Sequence, residues 1–138
     1  MHRKEITLIM TVMIVMIGII AMILFSSTYV PEEHTEKRVI RSLSPYAWHE
    51  VSMDPDVIII DIRTKEEYEV LRIGNPINMD YYSRYFKDQL SILDKERTYL
   101  IYGRTKATSD HTLEIMEGLG FMYVYDLEGG ISAYSEYL

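Results

Sequence analysis

An apolar stretch, Tyr99-Leu100-Ile101-Tyr102, runs into Gly103, Arg104, Thr105, Lys106, Ala107, Thr108 and Ser109, a segment carrying two cations and three hydroxyls. Asp61, Arg63 and Glu67 form a second polar group at the end of another apolar run, and Asp110 follows the first. Side chains of these types can orient a ligand, pair with an anion or move a proton. Spacing singles out no acid and base pair among Asp61, Arg63, Arg104, Lys106 and Asp110. The chain has no cysteine, which excludes a thiolate nucleophile, a disulfide and a thiolate metal site. Arg63 near Glu67 reads as an ion pair locking a strand to its helix. Glu128, Gly129 and Gly130 read as a tight turn that needs positive φ. His111 lacks a carboxylate partner at ligand spacing and reads as a surface or capping residue, while Tyr81, Tyr82 and Tyr85 read as a core edge with solvated hydroxyls.

The elements that must position these residues follow from local signals. Val39 and Ile40 begin a first strand. Ser44 followed by Pro45 is a helix start, a hydroxyl cap and then the residue tolerated at the first helical position, which predicts a helix to about Val51. Asp56 to Asp61 contains Val57, Ile58, Ile59 and Ile60, apolar on both faces, as expected of a strand covered on both sides. Thr64 three residues before Glu67 makes a capping box for a helix to about Val70. Gly74, Asn75 and Pro76 break the chain before a short extended piece, Ile77 to Met79. A helix is expected over Tyr85 to Leu93, a strand over Tyr99 to Tyr102, a helix from Ser109 to Leu119 stopped by Gly120, a strand from Met122 to Leu127 and a helix from Ile131 to Tyr137. Strands alternating with short helices predict an α/β domain with a mainly parallel sheet, whose ligand crevice lies at the carboxyl ends of the strands, where Gly103 sits.

Outside that domain, residues 1–5 form a tail and residues 6–25, from Ile6 to Phe25, an uncharged apolar run long enough to cross a bilayer as one helix in contact with lipid. Residues 26–37 read as a juxtamembrane linker, and residues 38–138 as one domain with its own core. His2, Arg3 and Lys4 before the span favour a single-pass chain with a cytoplasmic N-terminus and the domain on the extracytoplasmic side. The formal net charge is −7, and the tail adds one net positive charge to it, so the rest is more acidic still. That balance disfavours nucleic acid, whose phosphates call for a basic patch. No metal or other cofactor is expected.

Four segments, in order and in register, resemble a single-domain rhodanese over almost all of Val39 to Tyr137. These are Asp61-Ile62-Arg63-Thr64 with Glu67 and Tyr68; Ile73 with Ile77-Asn78-Met79-Asp80; the strand and loop ending at Ser109; and Gly120-Phe121 with Tyr125-Asp126-Leu127-Glu128-Gly129-Gly130-Ile131 and Tyr134. The resemblance implies a five-stranded parallel sheet flanked by helices, with an active loop wrapped around the start of the helix placed at Ser109. It also implies a cysteine that carries a persulfide, at the position occupied here by Gly103. Loop amides and the helix N-terminus would stabilise negative charge there, which makes Gly103 to Ser109 a candidate anion-binding loop supported by Asp61, Arg63 and Glu67. Lys106 stands where the family has a glycine and Thr108 where it has a basic residue. The expectation is a membrane-anchored, catalytically inactive module that binds an anion or a protein and regulates. The alternatives are an enzyme with a non-cysteine mechanism and a structural scaffold at the membrane.

Overall fold

The computed structural model describes residues 2–28 and 37–137. The chain divides into two compact units, Met1–Thr35 and Glu36–Leu138. In the first, helix α1 runs from His2 to Thr28. Its apolar side chains from Ile6 to Phe25 are exposed. The most apolar 18 residues within His2–Phe25 have a mean hydropathy of 3.0, so among the described residues this one helix is long and apolar enough to cross a membrane. The Thr7 hydroxyl donates to the Arg3 carbonyl at 2.8 Å and the Thr11 hydroxyl to the Thr7 carbonyl at 2.9 Å, so both are satisfied within the helix. The linker expected at 26–37 falls largely on residues outside those described.

In the second unit the elements follow in the order β1 (Val39–Leu43), α2 (Pro45–Ser52), β2 (Ile58–Asp61), α3 (Lys65–Val70), β3 (Ile77–Asn78), α4 (Phe86–Ser91), β4 (Thr98–Tyr102), α5 (Lys106–Gly118), β5 (Tyr123–Leu127) and α6 (Gly130–Tyr137). The five strands form one sheet in the order β1-β5-β4-β2-β3, and every pairing is parallel. Both anticipated caps form: the Ser44 hydroxyl accepts from the Ala47 amide at 3.4 Å, while Thr64 and Glu67 exchange hydrogen bonds at 3.2 and 3.4 Å. Strand β1 is longer than its two β-branched residues indicate. Its full length pairs with β5, from Val39 against Tyr123 to Leu43 against Leu127.

Alternation along the strands builds two cores. From β4, Tyr99 and Ile101 join Ile60, Phe86, Met116, Phe121 and Val124 on one face of the sheet. Leu100 and Tyr102 join Trp48, Ile73, Leu127 and Tyr134 on the other. Ile58 packs with the first cluster while Val57 and Ile59 pack with the second, which accounts for the unbroken apolar run in β2. Trp48, fully buried, meets Tyr102 and Tyr134 edge-on at centroid distances of 6.0 and 5.6 Å.

Candidate functional site

Gly103 follows the last residue of β4 at the carboxyl edge of the sheet, but only Gly103, Arg104 and Thr105 precede the helix. Helix α5 begins at Lys106, not at Ser109. The reason is local: the Thr105 hydroxyl accepts from the Thr108 amide at 3.4 Å, and the Thr108 hydroxyl donates to the Thr105 carbonyl at 2.9 Å. These two residues cap the first turn, so Lys106, Ala107, Thr108 and Ser109 are helical. Lys106 does not face Gly103 as a free cation; its ammonium bonds both Asp110 oxygens at 2.6 and 2.8 Å.

The ion pair expected between Arg63 and Glu67 does not form. Asp61 takes Arg63 instead, with Nε on Oδ1 at 3.0 Å and Nη2 on Oδ2 at 2.5 Å, both side chains buried. Residues two apart on extended chain share a face, so Asp61 lies closer than a group on the next helix. Glu67 closes its capping box and meets exposed Arg104 at 3.4 Å. Arg63 also donates to the Leu71 carbonyl and lies 5.3 Å from the Tyr102 ring centroid. Burial alone would lower the Arg63 pKa, but the hydrogen bond and charge of Asp61 hold it above its ordinary value. Burial likewise pushes the Tyr102 hydroxyl up.

Gly103 leaves room only for a compact side chain. A Cβ there would lie 3.1 Å from Ile62 Cδ1 and 3.2 Å from Thr108 Oγ1. Its φ lies outside the left-handed region, unlike those of Gly129 (+76°) and Gly130 (+61°), which form the expected positive-φ turn. The turn brings the Ile131 amide to 3.4 Å from the Gly103 carbonyl.

Two recesses flank this point. One of about 200 Å³ is lined by Ile62, Arg63, Thr64, Glu67, Tyr82, Arg104 and Thr108. The other, of about 310 Å³, is lined by Ser42, Thr105, Lys106, Ser109, Asp126 and the turn 127–130. In the latter, Asp126 is 3% exposed. The Ser42 hydroxyl reaches its Oδ2 at 3.4 Å, while Oδ1 has no hydrogen-bond partner. Burial pushes its carboxyl up to about 6, against the Ser109 and Ser42 hydroxyls, which pull it down. Asp126 stands in the closing motif, but no residue-level signal marked it as a site residue. Its one legible trait is a carboxylate inside a β-branched and aromatic strand. His111, on exposed helix surface, has its Nδ1 2.8 Å from the Tyr81 hydroxyl. Tyr81 packs on Phe86 while Tyr82 and Tyr85 are exposed, so the tyrosine cluster is part core edge and part surface.

A carboxyl raised from 3.8 to about 6 on folding favours the folded state when protonated. Stability is therefore expected to fall as pH rises through that window, by an upper bound of about 3 kcal/mol. Urea denaturation of the full chain in detergent at a series of pH values checks this; Asp126→Asn should remove the slope and raise stability at neutral pH.

The parallel sheet, the glycine turn and the loop after β4 define a rhodanese-type domain. The family model described as Rhodanese-like domain matches residues 45–137, and the chain belongs to that family. Among curated relatives, the tRNA uridine(34) hydroxylase of Legionella pneumophila (strain Corby) is 37% identical over 98 residues, covering 68% of this chain and 39% of the relative. The enzyme of that name from Synechocystis is 32% identical over 117 residues, covering 77% and 40%. The chain thus spans about two-fifths of the length of these relatives. Among solved structures, a rhodanese-related protein from Thermoplasma volcanium superposes with a TM-score of 0.62 at 24% identity, covering 70% of this chain and 92% of that one. A rhodanese-like domain protein from Staphylococcus aureus does so with a TM-score of 0.58 at 24% identity, covering 68% and 90%.

These relatives overturn the expectation of a membrane-anchored, catalytically inactive regulatory module, because they are named as enzymes. The physical error lay in extending one missing side chain to the whole site. Glycine at position 103 rules out a persulfide there, yet it says nothing about chemistry by oxygen and nitrogen groups around it.

Proposed function

We propose that the domain binds and positions the uridine at position 34 of tRNA for hydroxylation, the reaction named for its curated relatives. The observation that carries this reading is the 37% identity over 98 residues to one of them. The recess at Gly103 supports it. Tyr82, 72% exposed, offers an aromatic face at its wall, and unpaired RNA bases are held by stacking on such faces. Thr64 and Thr108 supply hydroxyls for a base edge, and Arg104 a cation for the backbone. The acidic balance of the chain counts against wide contact with phosphates, so a loop held through one base accords with it better than a duplex does. Inserting an oxygen atom needs an oxidant that these side chains do not supply, so the domain's share is recognition and orientation.

The test is binding of an anticodon stem-loop RNA to the full chain in detergent, with uridine or cytidine at position 34. Preference for uridine is expected, together with a loss of about five- to a hundredfold in affinity on Tyr82→Ala, the range for one stacked base. Equal binding of both RNAs would sink the reading.

The residues around α1 favour a second reading, of location. His2, Arg3 and Lys4, in the first turn of α1, precede its apolar run, which argues for a single-pass chain with its domain on the extracytoplasmic side, away from tRNA and limited to small substrates. On this reading the chain stays in membranes through high-salt and carbonate washing, and protease added to right-side-out vesicles removes the domain. Protection of the domain would reverse the orientation and leave the tRNA reading standing.

A further inference from the structure

Two tyrosines between β3 and α4 keep large faces in solvent: Tyr82 is 72% exposed and Tyr85 52%. Both rings are nevertheless held. Tyr82 meets Tyr81 edge-on at 5.1 Å, and Tyr81 is fixed in turn by Phe86 at 5.5 Å and by His111 on α5, whose Nδ1 lies 2.8 Å from its hydroxyl. The Arg84 guanidinium lies 4.5 Å from the Tyr85 ring centroid, and its Nη2 donates to the Tyr85 hydroxyl. The backbone beneath is pinned as well. The Tyr81 amide donates to the Ile62 carbonyl at 3.1 Å, the Tyr82 amide to Asp80 Oδ1 at 2.9 Å and the Tyr85 amide to the Ser83 hydroxyl at 3.2 Å. Aromatic faces held in place bind at less entropic cost than mobile ones.

The charge of this segment also departs from that of the chain. Asp80 and Asp88 are balanced by Arg84 and Lys87, whereas the whole chain has a net charge of −7. Among the described residues no carboxylate pairs with Arg84, and Asp80 is turned to the Tyr82 amide.

We propose that Arg84 and Tyr85 form a second stacking platform, which holds the nucleotide adjoining the uridine placed in the recess at Gly103; this rests on the reading of that recess given above. Tyr82 lines the recess, and Tyr85 follows it by three residues, so their Cα atoms lie within about 11 Å. Consecutive bases of an unpaired strand splay onto rings so placed, while a duplex offers them no free base face. Every base has a π-face, so the platform accepts any neighbour while the recess reads one base. The guanidinium adds cation–π attraction and a charged donor for the phosphate between the two nucleotides.

The experiment measures binding of the anticodon stem-loop RNA to the full chain in detergent by fluorescence anisotropy. The RNA is used intact and with the base just before, or just after, position 34 removed. Tyr85→Ala is expected to weaken binding of intact RNA about five- to a hundredfold, the range for one stacked base, and Tyr85→Phe, which keeps the ring, should restore most of it. At one of the two positions, removing the base should abolish the effect of Tyr85→Ala and leave that of Tyr82→Ala, as coupling between contacting groups requires. Arg84→Gln should flatten the slope of log affinity against log salt by about 0.7, the value for one single-strand phosphate. Equal binding of uridine and cytidine at position 34 would sink the reading of the recess, and the platform with it. The platform alone is overturned, with the recess reading left standing, if uridine is preferred but Tyr85→Ala binds intact RNA as well, if that variant loses as much on both shortened RNAs, or if Arg84→Gln leaves the salt slope unchanged.

Discussion

Arg63→Met is expected to destabilise the domain by about 3–5 kcal/mol, the range for removing one partner of a buried ion pair. The size of the effect comes from what stays behind. Asp61 is wholly buried and would keep the Arg63 backbone amide, 2.9 Å from Oδ1, and the neighbouring Tyr102 hydroxyl, but no cation, as partners for its carboxylate. The Leu71 carbonyl would lose its guanidinium donor as well. The Tyr102 ring would lose the cation beside it. Guanidinium denaturation of the domain checks the magnitude, and the double variant Asp61→Asn with Arg63→Met tests the cause. Asparagine carries no charge, so the double variant should recover much of the loss. Equal destabilisation in single and double variants would place the cost in packing of the Arg63 stem rather than in the stranded charge.

Gly130→Ala is expected to cost about 2–5 kcal/mol, from strain at positive φ combined with overpacking. The residue sits at φ +61°, and a Cβ there would overlap the Gly103 carbonyl oxygen. That oxygen cannot swing aside as a side chain would, because it belongs to the strand end and accepts from the Ile131 amide. Relief must come from moving α6 away from β4, which pulls Tyr134 off Trp48. Quenching or a red shift of the fluorescence of Trp48, the chain's one tryptophan, should therefore accompany the loss of stability. Gly118→Ala, where the added methyl meets nothing within 4 Å, is the control and should be neutral or mildly stabilising.

What could be read from the chain was what a few consecutive residues decide. The Ser44-Pro45 start, the capping box at Thr64 and the glycine turn at 129–130 all depend on neighbours within four positions, and all three formed. The apolar run in β2 is also local, and it was enough to indicate a sheet covered on both faces. The start of α5 is legible too, in the Thr105 to Thr108 spacing, whose cap begins the helix three residues before Ser109. Asp61 with Arg63 is a matter of strand periodicity, which outweighs the helix neighbour Glu67. Asp126 is of another kind. Its surroundings come from β1, α5 and its own strand, so its burial and its raised carboxyl are properties of the packed sheet that no window of sequence contains.

The same strand order has a consequence for synthesis. Ser42 and Asp126 are 84 residues apart, and β1 enters the sheet only beside β5, so the first strand to leave the ribosome waits for the last. Until β5 emerges, β1 has an open edge that other chains can pair with. Contacts of such long range also make the closing step slow. A nascent chain stalled before Tyr123 should accordingly be protease-sensitive at Val39–Leu43 and need a chaperone, whereas β2 and β4 can already pair.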